Sequence, residues 1–416
     1  MTLWLYELRL FLRERAAVPA LALLTFLIVA SVWAGMSEVA HQRDVIARIA
    51  PQQAEDVAAI VKWADKDKDA GSATYYTFHP TWDAPSPLAF AAIGQRDVAP
   101  YILRVRALGL EAQLYEGETF NPEMALPGRF DFAFVLTYLL PLFAIVLFHD
   151  LKSGEREAGR LSMLRAVSRN EKTMWLRRKT LRAILLFAAL GIPFVIAASL
   201  SAVPVTTILS VLAVIAAYLL FWIVIAAVIG RAGWSSVTNA GALAASWLVL
   251  TLVLPALAHI TISNIVPVSQ GVELTLAHRE KVHGAWEVPR EETMQAFFRT
   301  HPEFANTKPL PKGFHYKWYL AFHQLGDESV APAAKAYRDG LMARDTLTAK
   351  TGWVLPAIGV QTLLHRMART DLKAGLAYQD RIRAYHTQLR RFYYRYLFTD
   401  RPFGKSEFDK APRYKG

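Results

Sequence analysis

The chain has 416 residues, of which 53% are hydrophobic, and its 47 Lys/Arg against 35 Asp/Glu give a formal charge of +12. It has no cysteine, which excludes disulfides, thiolate catalysis, iron–sulfur clusters and Cys-ligated zinc. Several apolar runs are about 20 residues long, enough to cross a hydrocarbon layer of roughly 30 Å. The composition therefore predicts an integral membrane protein with soluble parts. Its positive charge fits cytoplasmic anchoring beside anionic lipid, and no nucleic-acid-binding motif accompanies it.

Residues 1–15 (MTLWLYELRLFLRER) predict an amphipathic helix at the membrane interface. Trp4 suits the depth of the lipid headgroups, and charged residues such as Glu7 interrupt the apolar side chains at intervals. The alternative is a frayed extension of the first membrane span.

Residues 16–36 form that first span, which is longer than the apolar region of a signal peptide. Basic residues precede it, so the N-terminus is predicted to be cytoplasmic. Residues 37–130 then lie outside as an extracytoplasmic domain, in agreement with their thirteen acidic and nine basic residues. From about Glu38 to Lys68 the spacing of apolar residues predicts a helix, with a kink or break at Pro51. The remainder is rich in Gly, Pro and aromatic residues, which favours loops and short strands.

Residues 131–262 hold four more apolar spans. Their predicted bounds are Asp131–Phe148, Ala183–Val203, Val205–Ile229 and Ala240–Ile262. Between the second and third spans, residues 149–182 contain ten Lys/Arg and four Asp/Glu. So basic a connection resists translocation, which predicts a cytoplasmic position for it.

Residues 263–416 make up the largest soluble part. Amphipathic patterns predict helices at Glu291–Thr300, Ser329–Lys350 and Thr370–Phe398. Gly352–Leu364 is too short to cross a membrane and predicts an interfacial or domain-core helix. Five spans with the N-terminus inside place this region outside. Its roughly 24 basic and 15 acidic residues argue weakly for the cytoplasm, but long translocated domains largely escape the charge rule.

The predicted fold class is therefore mainly α: a polytopic helical membrane protein with about five transmembrane helices and two mostly helical extracytoplasmic insertions. Within the basic connection, SGEREAGRLSMLRAVSR would place Glu155, Gly159 and Ser162 near one face if it is helical. Such a short charged helix at the mouth of two spans can dock on a cytoplasmic partner. A plain basic loop that only sets the topology explains the periodicity equally well.

The connection also resembles a known family. Its pattern, Glu-Arg-Glu-x-Gly-x-Leu followed by Leu and a Ser-Arg pair, is similar to that of the membrane subunits of ABC transporters of the ABC-2 class. The matching residues are Glu155, Arg156, Glu157, Gly159, Leu161, Leu164, Ser168 and Arg169. The N-terminal helix with Trp4 and Glu7 is similar to the family's elbow helix, and the insertions resemble those of a subgroup with large extracytoplasmic parts. The resemblance covers roughly half the chain, and the family usually has six spans where this chain shows five.

The resemblance implies a permease subunit of the bacterial inner membrane that pairs with a second permease subunit, identical or different. Each would engage a separate ABC ATP-binding subunit, which binds the ATP and Mg. This chain has no Gly-x-x-x-x-Gly-Lys-Ser/Thr loop, so we expect no cofactor and no enzymatic activity in it. The expected coupling residues are Glu155, Arg156, Glu157, Gly159, Arg160, Leu161 and Leu164. Glu155 and Glu157 would contact the ATPase, and Arg156 and Arg160 would pair with acidic residues across the docking surface.

Two further residues are candidates for the outer mouth of a transport pathway, Asp131 and His259. For Asp131 the alternative is simple anchoring at the edge of its span. The eleven histidines do not show the HExxH spacing, so no metal site is predicted. A membrane-anchored extracytoplasmic binding or assembly module without transport is the main alternative function. A membrane-embedded enzyme is disfavoured, because the spans lack convergent acid–base residues. The resemblance favours export over import.

Overall fold

A computed structural model describes residues 3–67, 69–115, 129–168, 170–269 and 271–416, without the side chains of residues 63–67. These residues are mainly helical. In the first half the elements are α1 Leu3–Arg13, α2 Ala17–Ala47, α3 Ile49–Asp67, α4 Ala70–Tyr76, β1 His79–Trp82, β2 Ile102–Val105, α5 Glu111–Tyr115, α6 Phe132–Phe134, α7 Leu140–Phe148, α8 Ser153–Glu157, α9 Leu161–Val167 and α10 Glu171–Leu200. They are followed by α11 Val205–Ile229, α12 Ser236–Leu248, α13 Leu254–Ile265, α14 Gly271–Gly284, α15 Arg290–Thr300, α16 Tyr316–Thr351, α17 Pro356–Ala368, α18 Leu372–Leu397 and α19 Lys405–Phe408.

Five helical stretches are long and apolar enough to cross a membrane, as predicted. We number them spans 1 to 5: Ala17–Lys62, Phe132–Glu157, Glu171–Leu200, Val205–Ile229 and Ser236–Ile265. Span 3 begins 12 residues before its predicted start at Ala183, because Asn170 caps the helix by accepting a hydrogen bond from the Thr173 N–H. The basic connection between spans 2 and 3 is therefore shorter than predicted, and residues 171–182 are the first turns of span 3.

Span 2 contains a proline, and its backbone shows how the bundle tolerates it. A π-helical turn, Val135–Leu139, leads into Pro141. A proline has no N–H to donate to the carbonyl four residues earlier, here that of Thr137. The Tyr218 hydroxyl of span 4 donates to this carbonyl at 2.8 Å. Beside it, the Trp247 indole of span 5 donates to the Tyr138 carbonyl at 3.1 Å. Neighbouring spans thus satisfy the freed backbone, as a low-dielectric environment requires.

The region after span 1 begins as a direct continuation of that helix. The helix breaks at Arg48, just before Pro51, in agreement with the predicted kink. The predicted short strands are an antiparallel pair, β1 and β2, with His79 opposite Val105. A 3₁₀ turn at Ala89–Ala91 packs against α2 so closely that a Cβ atom on Gly35 would lie 1.9 Å from the Phe90 carbonyl oxygen. This close contact fixes the region to span 1 near the middle of the helix.

The two insertions were predicted as separate domains, but their described residues share one hydrophobic core. Val105 and Leu110 of the first pack with Phe297, Leu320 and Leu389 of the second. Most of the buried residues come from the second segment, and the first segment adds Ala70 to Tyr115, so that together they enclose a continuous aromatic-rich interior. We call this joint unit the outer domain, a name that refers only to its position outside the core of the spans. Because the two segments pack together, they lie on the same side of the bundle.

A buried charge cluster holds the two segments of the outer domain together. Arg390 on α18 donates to Asp327 on α16 at 2.8 Å and to the Leu108 carbonyl at 2.7 Å. Asp327 also accepts from the Leu110 N–H at 2.8 Å. Burial alone would raise the pKa of Asp327, but the charge of Arg390 and these hydrogen bonds hold it well below its usual range. A buried carboxylate is stable here because an arginine and backbone N–H groups surround it.

Helix α17 belongs to the membrane bundle rather than to the outer domain. Val360, Leu364 and Ala368 pack into the same core as spans 1 to 5, and the Gln361 amide donates to the Tyr138 hydroxyl at 3.2 Å. The predicted short helix therefore exists, shifted to Pro356–Ala368, and it anchors the C-terminal region among the spans.

The buried histidines of the outer domain predict acid sensitivity. Burial, with the charge of Arg390 adding to it, lowers the pKa of His323 and of His386 to about 3, and burial lowers the pKa of His79 to about 4. The pKa of a histidine in the unfolded chain is near 6.5. As the pH falls from about 6.5 towards 3–4, these histidines are therefore protonated in the unfolded chain but not in the folded one, which lowers the free energy of unfolding. Each histidine then costs up to ~1.4 kcal/mol of unfolding free energy per pH unit.

We therefore expect the thermal unfolding midpoint of the full chain to fall steeply between pH 7 and pH 5. His386→Gln, which keeps a donor for the Arg106 carbonyl but cannot titrate, should make this fall shallower. His283→Gln on the exposed side of α14 is the matched control and should leave it unchanged. A fall in midpoint that is the same in all three proteins would contradict the assignment.

Candidate functional site

The segment that joins spans 2 and 3 contains two short helices, α8 and α9. We define it as the connector, residues 149–170, which includes the charged last residues of span 2. Gly159 joins the two helices at φ +71°, a left-handed conformation that favours glycine. A single helix through this segment, one of the two alternatives left open by the sequence, would place Glu155, Gly159 and Ser162 on a common face. The turn at Gly159 breaks that face, so Glu155 and Ser162 lie on different helices.

The connector is bound to the N-terminal helix through one arginine. Arg178, in the second turn of span 3, donates to Glu155 of α8 at 2.8 Å and to Glu7 of α1 at 3.1 Å. The three side chains are mostly buried, with 10%, 17% and 11% of their surfaces exposed respectively. The second oxygen of Glu155 accepts from Arg160 at 2.7 Å. A guanidinium suits this position because its fixed fork of donors can hold two carboxylates at once.

A parallel contact lies one helical turn further along span 3. Arg182 pairs with Glu14, and its guanidinium carbon lies 5.7 Å from the centre of the Phe11 ring. Arg178 similarly lies 5.3 Å from the centre of the Trp175 ring. Two successive arginines on one face of span 3 therefore hold α1 along its length. Trp4 itself is half exposed, as expected for a side chain at headgroup depth.

The same connector is also bound to span 5. Arg156 donates to the Gly233 carbonyl at 2.7 Å and to the Trp234 carbonyl. Glu157 accepts from the Ser236 N–H at 2.6 Å, which places a carboxylate at the N-terminus of span 5, where the helix dipole favours negative charge. A third contact joins the same two elements: the Ser236 hydroxyl at the start of span 5 donates to the Ser153 hydroxyl of the connector at 2.9 Å.

Helix α9 presents the free surface of the connector. Met163 and Val167 are 59% and 81% exposed and lie four residues apart, on one face of the helix. Leu161 and Leu164 are half-buried towards the rest of the chain. Among the described residues, α9 has no buried member, so it protrudes from the bundle and offers a small apolar surface.

The structure shows which groups of this chain the predicted coupling residues contact. Glu155, Arg156, Glu157 and Arg160, predicted to contact a partner, each bind at least one group of this chain. Arg169 of the matching pattern lies outside the described residues. The roles of these residues in contacting an ATPase stay predictions, and the exposed apolar pair of α9 is the surface that sequence reasoning missed.

The two candidate pathway residues are not joined by any contact in the described structure. Asp131 is buried and caps α6, accepting from the Phe134 N–H at 2.9 Å and from the Ile93 N–H at 2.8 Å. Both carboxylate oxygens thus serve the backbone, which fits the anchoring alternative. His259 is exposed on α13. Within the described ranges, no three His, Asp or Glu side chains are grouped closely enough to hold a metal ion.

Sequence reasoning also missed Arg178, which joins the two predicted elements. It was counted only as one of ten basic residues that set the topology. The sequence did contain a signal: Arg178 and Arg182 are four residues apart, which places both side chains on the same face of a helix. Their partners do not share this spacing, since Glu7 lies within α1 and Glu14 follows the end of that helix at Arg13.

Comparisons with known proteins bear only on the C-terminal part of the chain, which holds most of the outer domain together with α17. Residues 272–415, about one third of the chain, match a family model described as a domain of unknown function, DUF3526. No curated protein and no solved structure matches the chain. The matched region runs from α14 to the C-terminus and does not include the connector.

Removing Arg178 should destabilise the fold, because Glu7 would remain mostly buried without a cation and Glu155 would keep only the more exposed Arg160. We expect Arg178→Ala to lower the free energy of unfolding by ~3 kcal/mol, and Arg178→Lys by less, since an ammonium keeps the charge but not the two-armed geometry. The measurement is thermal unfolding in detergent. Arg177→Ala, the matched control, removes a neighbouring arginine that forms no ion pair in the described structure and should change stability little. Equal effects of Arg177→Ala and Arg178→Ala would contradict this account.

Proposed function

We propose that the chain is the permease subunit of an ATP-driven transporter of the ABC-2 class. Its connector receives work from a separate ATP-hydrolysing subunit and passes it to the membrane spans. The observation that carries the proposal is the Glu7–Arg178–Glu155 contact, which binds the connector, the N-terminal helix and span 3 into one unit. It supports the family resemblance of the connector and of the elbow-like helix, because it links the two elements on which that resemblance rests.

A coupling element must move several spans together when it is pushed. The connector continues directly into spans 2 and 3, and Arg156 and Glu157 bind it to the N-terminus of span 5. A displacement of α9 would therefore reach three spans and the N-terminal helix. A loop that only set the topology would need none of these contacts, so they favour the coupling interpretation over the plain basic loop.

The energy must come from a partner, because the chain has no phosphate-binding Gly-x-x-x-x-Gly-Lys-Ser/Thr loop. ATP binding to the partner can shift the permease between conformations only if the partner contacts the two conformations differently. In this proposal the contact is a cleft of the ATPase that receives Met163 and Val167, with the exposed Arg165 at its rim. The partner set is one ATPase per permease and a second permease subunit.

The direction of transport proposed here is export from the cytoplasm. The connector occupies one end of the bundle, and the outer domain follows span 1 and span 5 at the other. If the N-terminus is cytoplasmic, the outer domain is extracytoplasmic and would handle cargo leaving the pathway. The alternative, an anchored binding module without transport, uses the same outer domain but has no role for a connector bound to three spans.

The docking face can be tested without disturbing the internal contacts. Met163→Asp combined with Val167→Asp should abolish co-purification of a Walker-loop ATPase from the native membranes, together with ATP hydrolysis by the complex. A buried apolar anchor is worth more than 2 kcal/mol at an interface, which corresponds to a loss of at least ~30-fold in affinity. The thermal midpoint of the permease itself should not change, because both side chains are exposed.

Val288→Asp in the outer domain is the matched control, since it places the same charge on an exposed apolar residue distant from the connector. Retention of the ATPase by the α9 double variant would contradict the docking face. If no ATPase co-purifies with the unaltered chain, the anchored binding module becomes the better interpretation.

A further inference from the structure

A second feature of the connector end is a cavity of about 580 Å³ between spans 2, 3 and 4, within the range of ligand-binding pockets. Four cationic side chains line it: Lys152, Lys172, Lys179 and Arg231. They come from the connector, from span 3 and from the turn after span 4. The charges of Lys152 and Arg231 act on Lys179, so the cations are close neighbours.

The protein balances these cations only in part, through the Glu171 carboxylate, on which the charge of Lys152 acts. Glu171 is the one carboxylate among the lining residues, and it accepts from Arg165 at 3.3 Å and from the Trp175 indole at 3.1 Å. In the described structure, none of the four cations makes an ion pair or a hydrogen bond. Like charges held together repel one another and favour an anion between them.

The rest of the lining describes the chemistry of that anion. Phe148, Leu151, Trp175 and Leu176 form an apolar side, and Leu176 is 65% exposed on the outer surface of span 3, where acyl chains would lie. Asn239 is 2% exposed, and its Nδ2 donates to the His149 carbonyl and the Ser153 hydroxyl. Its Oδ1 is buried without a donor in the described structure. An occupant needs a negative charge, an apolar portion and a hydroxyl or amine donor.

We propose that this cavity binds the headgroup of an anionic glycerophospholipid of the connector-side leaflet, with phosphatidylglycerol as its simplest example. The phosphate lies among Lys152, Lys172, Lys179 and Arg231, a headgroup hydroxyl donates to Asn239 Oδ1, and the acyl chains leave along Leu176. Basic pockets between membrane helices recognise lipid phosphates in this way. The proposal does not depend on transport, because it requires only that the spans lie in a bilayer.

Two other sources of negative charge are compatible with the cations alone. A free phosphate has no apolar portion and would leave the Phe148 side of the cavity unused. An acidic segment of a partner protein would have to enter between the spans. The exposed apolar edge at Leu176 favours a lipid over both.

The test uses the purified full chain in detergent, with phosphatidylglycerol, phosphatidylcholine or inorganic phosphate added, and native mass spectrometry to measure bound ligand. Each cation near a lipid phosphate contributes about fivefold in affinity, so Lys179→Ala with Arg231→Ala should weaken phosphatidylglycerol binding roughly 25-fold. Arg9→Ala with Arg13→Ala removes the same charge from exposed positions of α1 and should weaken it less than ~3-fold. Lys179→Gln with Arg231→Gln serves if the alanine variant does not purify folded.

Selective loss of phosphatidylglycerol, with phosphatidylcholine binding weak and unchanged, is the expected result. Equal weakening by the cavity and α1 variants would overturn the proposal, since it would indicate non-specific attraction. Inorganic phosphate that binds with the same dependence on Lys179 and Arg231, while phosphatidylglycerol shows no preference, would overturn it in favour of a soluble anion. Phosphatidylglycerol binding that is unchanged in the Lys179 and Arg231 variants would also overturn it.

Discussion

The arrangement of the connector depends on one guanidinium that holds two carboxylates out of water. Arg178 pairs with Glu155 and Glu7 together; it is the cation that Glu7 contacts, and Glu155 shares it with Arg160. The N-terminal helix has little else to hold it, since most of its large apolar side chains are exposed and only Phe11 is buried. A buried ion pair is weak evidence for stability, but it is favourable only when the charged groups are positioned accurately. This requirement determines how α1 and the connector lie against span 3.

Much of the fold could be predicted from apolar periodicity because each span must satisfy its own backbone hydrogen bonds. Span 4 was predicted with the bounds that the structure shows, Val205–Ile229. Span 3 was not, because residues 171–182 are charged and the hydropathy pattern stops at Ala183. Helix formation there depends on the Asn170 cap and on partners from α1 that a single local window does not contain. Charged residues thus indicate the point at which a helix emerges from the hydrocarbon layer, but the helix itself can continue beyond that point.

The joint core of the outer domain could not be predicted for a related reason. Asp327 and Arg390 are ordinary charged residues on amphipathic helices, and their burial is explained only by backbone groups of residues 108–110. Those groups precede them by more than 200 residues. The contacts of the candidate site could not be predicted for the same reason. The motif at Glu155–Glu157 was recognised from the sequence, but its partners on spans 3 and 5 are distant in sequence. The surface available to a partner, Met163 and Val167, is what remains after those partners are assigned.

The joint core also has a mechanical consequence for the spans. The outer domain is attached to the bundle at span 1 through the contact of Gly35 with the Phe90 carbonyl, and at span 5 through Arg344, which donates to the Val266 carbonyl at 2.8 Å. Helix α17 adds an attachment among spans 2, 4 and 5. The connector binds spans 2, 3 and 5 at the opposite end.

Spans 2 and 5 are thus held at both ends, and each contains a π-helical turn followed by a proline, at Pro141 and Pro255. A helix that is fixed at both ends can respond to displacement of one end only by bending, and these turns are where bending costs least.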